Sequence, residues 1–248
     1  MRTRTHRSLA AAALASLALT AFAACGGDDD SSSSVTASAC DAAVAYGAAF
    51  AQAPEDPAQI QSFATDTLVP IADTLVAGLD GDAQDAAETM RDAFAGVGES
   101  GDPSALEAPE TAEAIATVGK AVHEGCDLQA VDIDAVEYVF ENAPTTLDAG
   151  RVSFALANQG VEDHEMVLFK AADGVTEPLG ELLALPEDEA MSKLQFTGVT
   201  FGGPGTTNYV AVDLTPGQYY LVCFLPQGGG EDGPPHFIAG MQHTITVA

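Results

Sequence analysis

The spacing of apolar residues changes once along this chain, near Val131, and that change limits the fold to a helical first half and a strand-rich second half. From residue 40 to about 126 the sequence is rich in alanine, and its larger apolar residues recur at helical spacing. The pattern predicts four helices, over 41–52, 57–79, 82–97 and 108–123. In the second, Asp56 is placed to cap and Pro57 stands in the first turn, where its missing N–H costs nothing. Ile60, Phe63, Leu68, Ile71 and Leu75 form its apolar stripe, with a kink expected at Pro70. Ala86, Met90, Phe94 and Val97 form the stripe of the third, and Ile115, Val118 and Val122 that of the fourth. Short connections imply an antiparallel bundle.

Beyond Val131 the alternation of Val152, Phe154 and Leu156 with small or polar residues typifies the pattern. Strands are expected over 136–140, 151–158, 164–169, 208–214, 218–224 and 242–247, with Thr215-Pro216-Gly217 as a turn and a helical or irregular excursion over 176–194. Short strands separated by Gly/Pro turns suggest a Greek-key β-sandwich. The expected class is therefore α+β in two domains, a helical bundle over 40–128 and a sandwich over 131–248.

The first forty residues read differently. Arg2, Arg4 and Arg7 precede an apolar run over residues 9–24, which is the pattern of an export signal over 1–24. Ala23-Ala24 before Cys25, and Gly26-Gly27 after it, resemble a bacterial lipobox, which implies that Cys25 becomes a lipid-bearing first residue. The alternative is a transmembrane anchor, but the run is about 16 residues of mostly alanine, short of the roughly 20 apolar residues that span a bilayer. Residues 25–39, rich in Gly, Ser and Asp, read as a flexible tether. Beyond the signal the chain keeps all 37 acidic residues but only Arg91, Lys120, Arg151, Lys170 and Lys193 as fixed cations, a formal net charge of −32. Such a field repels nucleic acid and anionic headgroups; it serves either solubility or the steering of a basic partner.

An exported protein can hold disulfides. In an up-down-up-down bundle the start of the first helix and the end of the fourth lie together, which pairs Cys40 with Cys126; two buried free thiols are the alternative. Cys223 is then left over, either as a buried hydrophobic thiol or as a metal thiolate. Its company favours the second. His164, Cys223, His236 and Met241 follow one another on strand-rich sequence, and a thiolate, two imidazoles and a thioether make the ligand set of a type 1 copper ion. His123 and His243 are read as structural or surface residues.

Residues 131–248 resemble the cupredoxins, the family of plastocyanin and azurin. Pro216-Gly217-Gln218-Tyr219 followed by Tyr220-Leu221-Val222-Cys223 is similar to the family's PGxYxxxC pattern, whose tyrosine fixes a corner and whose cysteine binds copper. Asn158-Gln159-Gly160 before His164 resembles its asparagine-containing turn, and His236 to Met241 has its histidine-to-methionine spacing. The resemblance implies His164, Cys223 and His236 as strong ligands, Met241 as the axial one, and a redox protein as partner. Two departures stand out. Twelve residues separate Cys223 from His236, where plastocyanin-like members have two, and Glu165 follows His164 where the family often has asparagine. The segment contains Gly228-Gly229-Gly230 and is entered and left through Pro226 and Pro234-Pro235, so it can bulge outward. No phosphate loop, zinc-type histidine pair or second His/Cys cluster accompanies the set, so single-electron transfer is expected and catalysis is not. The alternative is the same sandwich acting as a binding module without copper, or delivering it.

Overall fold

Period-two alternation in the second half closes two β-sheets over one core. The computed structural model describes residues 34–54, 56–106, 108–230 and 233–248. Its strands are β1 (Gln129–Val136), β2 (Val139–Glu141), β3 (Thr146–Leu147), β4 (Gly150–Asn158), β5 (His164–Ala171), β6 (Leu194–Gly202), β7 (Thr207–Leu214), β8 (Gly217–Val222) and β9 (Gln242–Val247). They form one sheet in the order β2-β1-β4-β7 and another in the order β3-β9-β8-β5-β6. The pairs β1–β4 and β3–β9 are parallel and the rest antiparallel. Val152, Phe154 and Leu156 of β4 and Val210 and Val212 of β7 meet Met166 and Leu168 of β5, Tyr219 and Leu221 of β8, and Ile245 and Val247 of β9. Each large side chain so buried contributes about 1.5–3 kcal/mol.

Both outer faces are also covered. On the second sheet, Val167, Phe169, Tyr220 and Val222 pack under α6 (Leu179–Leu182), with Leu179, Leu182 and Leu194 against them. The expected excursion over 176–194 is thus two short helices, α6 and α7 (Glu187–Lys193), forming a lid on the sheet. On the first sheet, Ser153, Ala155 and Ala211 are buried beneath helices of the first half. These are the small residues that alternate with the core positions, and smallness lets helices approach. A Cβ on Gly47 would lie 2.2 Å from the Ala211 carbonyl oxygen.

The helices are α1 (Ala37–Ala49), α2 (Pro57–Phe63), α3 (Val69–Gly78), α4 (Gly81–Ser100) and α5 (Pro109–Gly125). All four expected segments are helical, with shifted ends. Asp56 caps α2, its Oδ1 accepting from Ala58 N at 2.9 Å. The expected kink is a π-turn over Ala64–Leu68, in which Val69 N donates to Ala64 O. Pro70 has no N–H and its ring crowds the carbonyl four residues back, and the wider turn relieves both. Ala72, Leu75, Ala87, Met90, Phe94 and Val118 share a helical core. Cys40 and Cys126 are joined, an 86-residue separation whose closure contributes about 4 kcal/mol in the chain-entropy account.

Several expectations need correction. Ser34 N and Oγ donate to the Asp80 carboxylate at 2.9 and 2.7 Å, and Thr36 N donates to Gly78 O at 2.9 Å. Residues 34–39 of the expected tether therefore belong to the fold, and α1 starts before residue 41 because Thr36 and Ser38 can begin it. Residues 25–33, with Cys25, and the signal over 1–24 lie outside the described residues. The strand expected over 136–140 is two strands, β1 and β2, reversed at Tyr138, whose φ is 67°. Strand β6 was not expected, because Gly198 and its threonine neighbours interrupt the apolar alternation; Gly198 is there because a Cβ would lie 2.9 Å from Val212. The change from helix to strand near 128–131 falls inside one compact unit, Ser32–Ala248. Among the described residues, no helix is long and apolar enough to cross a membrane.

Candidate metal centre

Strand pairing brings the four expected ligands to one end of the second sheet. His164 opens β5 and Cys223 directly follows β8, and these strands are antiparallel, with Val167 opposite Val222. Met241 precedes β9, whose Gln242 pairs with Val222. His236 starts a single 3₁₀ turn, His236–Ala239, and Gly240 at φ 119° returns the chain to Met241.

The twelve-residue separation does not hold Cys223 and His236 apart, because the segment folds back as a hairpin. His236 N donates to Leu225 O at 2.8 Å, Gln227 N to Pro234 O at 3.0 Å, and Phe237 N to Cys223 O at 3.0 Å. Pro226 and Pro235 face each other as an antiparallel bridge, and Gln227 Nε2 donates to Pro235 O at 3.2 Å. Neither proline N–H is missed, since partners on each side make the bonds. Gly233 is required at this neck: a Cβ there would lie 2.2 Å from the Gln227 carbonyl oxygen.

The donor atoms converge. His164 Nδ1 and His236 Nδ1 are 3.2 Å apart, Cys223 Sγ is 3.3 Å from His236 Nδ1, and one donor atom from each residue lies within 4.8 Å of the others. All three side chains are buried. Cys223 Sγ and the two Nδ1 atoms face one another, so all three can donate to one ion. His164 Nε2 is buried without a hydrogen-bond partner among the described residues, and Glu137 Oε1 at 3.9 Å is beyond hydrogen-bond range. Burial, then the neighbouring His236, push His164 below the usual histidine range, and burial pushes the Cys223 thiol up to about 11. One sulfur and two nitrogens in a buried pocket fit a single type 1 copper ion, which would take the place of the thiol proton. Met241 is buried beside them, its N donating to His236 O at 3.1 Å and its O accepting from Cys223 N at 3.2 Å.

The support comes partly from residues the sequence pattern pointed to. Asn158 Nδ2 donates to Glu162 O at 2.8 Å and Gly202 O at 2.7 Å, and its Oδ1 accepts from Gly160 N at 2.9 Å, which fixes the turn before His164. The Tyr219 hydroxyl accepts from Thr215 N at 3.0 Å and donates to Thr215 O at 3.1 Å, making the corner. Glu165, at the position where asparagine is frequent, clamps the cysteine: its N–H points at Cys223 Sγ at 3.5 Å and its Oε1 accepts from Phe224 N at 2.9 Å. Three residues escaped the sequence reading. Glu162 Oε2 lies 3.1 Å from His236 Nε2, Glu137 accepts from Val161 N and Glu162 N, and the Tyr138 ring meets His236 edge-on at 4.8 Å. For Glu162 the signal was the density of carboxylates around His164; Glu137 and Tyr138 carried none. His123 is structural, bonded to Ser153 at 2.9 Å, and His243 Nε2 donates to Pro144 O at 3.0 Å.

No protein-family model matches this sequence, and no curated protein sequence does. Solved structures similar to it match its strand-rich half. A dithionite-reduced auracyanin from Roseiflexus castenholzii is 21% identical, covering 48% of this chain and 97% of its own, with a TM-score of 0.35. Auracyanin A of Chloroflexus aurantiacus, described as a blue copper protein, is 20% identical over 48% of this chain and 98% of its own, with a TM-score of 0.33. A multicopper oxidase is 11% identical over 48% of this chain and 44% of its own, with a TM-score of 0.29.

If the hairpin neck closes the site, Gly233→Val opens it. An overpacking cost of about 1–3 kcal/mol should raise the rate at which a thiol reagent labels Cys223 in native metal-free protein by about tenfold or more. Labelling as slow as in the parent would show that the neck does not guard the thiol.

Proposed function

We propose that this chain is a type 1 copper protein that passes single electrons, held by lipid on Cys25 at the outer face of the cytoplasmic membrane. The observation that carries the copper reading is the convergence of Cys223 Sγ with the Nδ1 atoms of His164 and His236 in a buried pocket. Bound copper supplies a one-electron couple between its two oxidation states. Cys223 would supply the thiolate, His164 and His236 the imidazoles, and Met241 a weaker thioether donor. The hairpin neck, the Asn158 turn and the Tyr219 corner hold these side chains in one arrangement, so little needs to move as charge changes. With no coordination position left for a substrate, and only five histidines in the chain, electron transfer is favoured over oxidase chemistry. The helices read as a small antiparallel bundle, tied by Cys40–Cys126, that braces the outer face of the first sheet.

Loaded with Cu(II), protein lacking the signal and Cys25 should show an intense visible thiolate-to-copper band. Cys223→Ser should abolish it, and Met241→Leu should keep it while changing the reduction potential. A colourless protein that takes up no copper stoichiometrically would leave the sandwich as a binding module without copper.

The anchor rests on Ala23-Ala24-Cys25-Gly26 following an apolar run. In a bacterial host, Cys25→Ala should move the protein from the membrane fraction to the soluble extracytoplasmic one; retention in the membrane would rule out lipid on Cys25.

The partner is a redox protein, and the net charge favours a basic one. Steering would weaken as the Debye length falls from about 10 Å at 0.1 M salt to about 3 Å at 1 M. Stopped-flow electron transfer should therefore be faster with basic than with acidic redox proteins of similar driving force, and should slow with salt. A rate indifferent to both would reduce the acidity to a solvated surface.

A further inference from the structure

We propose that Glu162 is an anionic positioning residue of the centre: it holds His236 with Nδ1 turned toward Cys223 and His164, and its charge favours the oxidised over the reduced state of bound copper. The second half of this proposal rests on the copper reading above. Glu162 Oε2 lies 3.1 Å from His236 Nε2 and also accepts from Gly228 N at 2.8 Å, while Oε1 accepts from the Tyr138 hydroxyl at 3.0 Å. One carboxylate thus joins the turn before His164, the β1–β2 reversal and the tip of the Cys223–His236 hairpin.

The environment strengthens the contact. The His236 side chain is 1% exposed and that of Glu162 19%, so water screens the pair weakly. Tyr138 covers the ring edge-on at 4.8 Å and is held at φ 67°, a left-handed conformation costly for a bulky side chain. That strain is retained where the tyrosine reaches both the histidine and its carboxylate. The two histidines differ here, since among the described residues His164 Nε2 has no such hydrogen bond. With Nε2–H committed to Glu162, the His236 lone pair sits on Nδ1, and a carboxylate on the far nitrogen makes the imidazole a stronger donor. The oxidised ion carries one more positive charge than the reduced one, so a fixed negative charge stabilises it more.

Glu162→Gln separates charge from contact. The amide oxygen can accept from His236 and Gly228, and the amide N–H can donate to the Tyr138 oxygen, so only the charge is lost. The variant should keep its visible band and thermal midpoint, while the ratio of Cu(II) to Cu(I) affinity falls about tenfold, a rise in potential of about 59 mV. Glu162→Ala, which loses the contacts too, should weaken copper binding by about 10–100-fold. In the metal-free protein, nitrogen NMR should find His236 as the Nε2–H tautomer in the parent and in Glu162→Gln, and as a mixture in Glu162→Ala. A coloured Glu162→Gln protein at the parent's potential would overturn the charge effect alone. The Nδ1–H tautomer in the metal-free parent would overturn the positioning role. A parent that takes no copper would defeat the copper reading and the charge effect with it, leaving the tautomer to decide the positioning role.

Discussion

The centre depends on a few hydrogen bonds that close the neck of the Cys223–His236 hairpin. Without them, twelve residues would let the imidazole wander over distances far larger than the 3.3 Å that separates it from the cysteine sulfur. The bonds from His236 N to Leu225 O and from Gln227 N to Pro234 O, with the Pro226–Pro235 bridge between them, turn a long connection into a short one. Phe237 N to Cys223 O then sets the two ligand-bearing segments directly against each other. The three glycines at the tip absorb the reversal, where Gly228 and Gly229 take φ values of 80° and 65°.

The same neck explains why the pocket is buried and asymmetric. His164 arrives on a strand and is buried, its outer nitrogen without a hydrogen bond among the described residues. His236 arrives on the hairpin and meets a carboxylate supplied by the turn before His164. Two imidazoles that look equivalent in the sequence therefore have different outer partners. Rigid strands carry His164 and, one residue beyond its end, Cys223, while the hairpin and the β1–β2 reversal carry the groups around His236, so the enclosing loops set the outer surroundings of the second histidine.

The helical half is coupled to this end of the molecule through the first sheet. Small residues on the outer face of β4 and β7 let α1 and α5 lie close, as at Gly47 over Ala211. The inner face of those strands supplies Val152, Phe154, Leu156, Val210, Val212 and Leu214 to the core that also holds Cys223 and Met241. A loss of packing between helices and sheet would thus reach the centre through β4, whose last residue, Asn158, holds the turn before His164.

Much of this was legible in local pattern. Helical spacing located the four helical segments, alternation located most strands, and the order of His164, Cys223, His236 and Met241 pointed to a candidate donor set of which the first three converge, because each depends on residue type and short separations. Strand β6 escaped because Gly198 and threonines hide its alternation, and the reversal at Tyr138 escaped because no glycine or proline marks it. What only the tertiary structure decided is how distant segments meet: the neck that brings Cys223 to His236, and Glu162 beside His236 across 74 positions of sequence. Such contacts are set by strand pairing and loop closure, which no local periodicity encodes, whereas the chemistry of the ligands is carried by the side chains themselves.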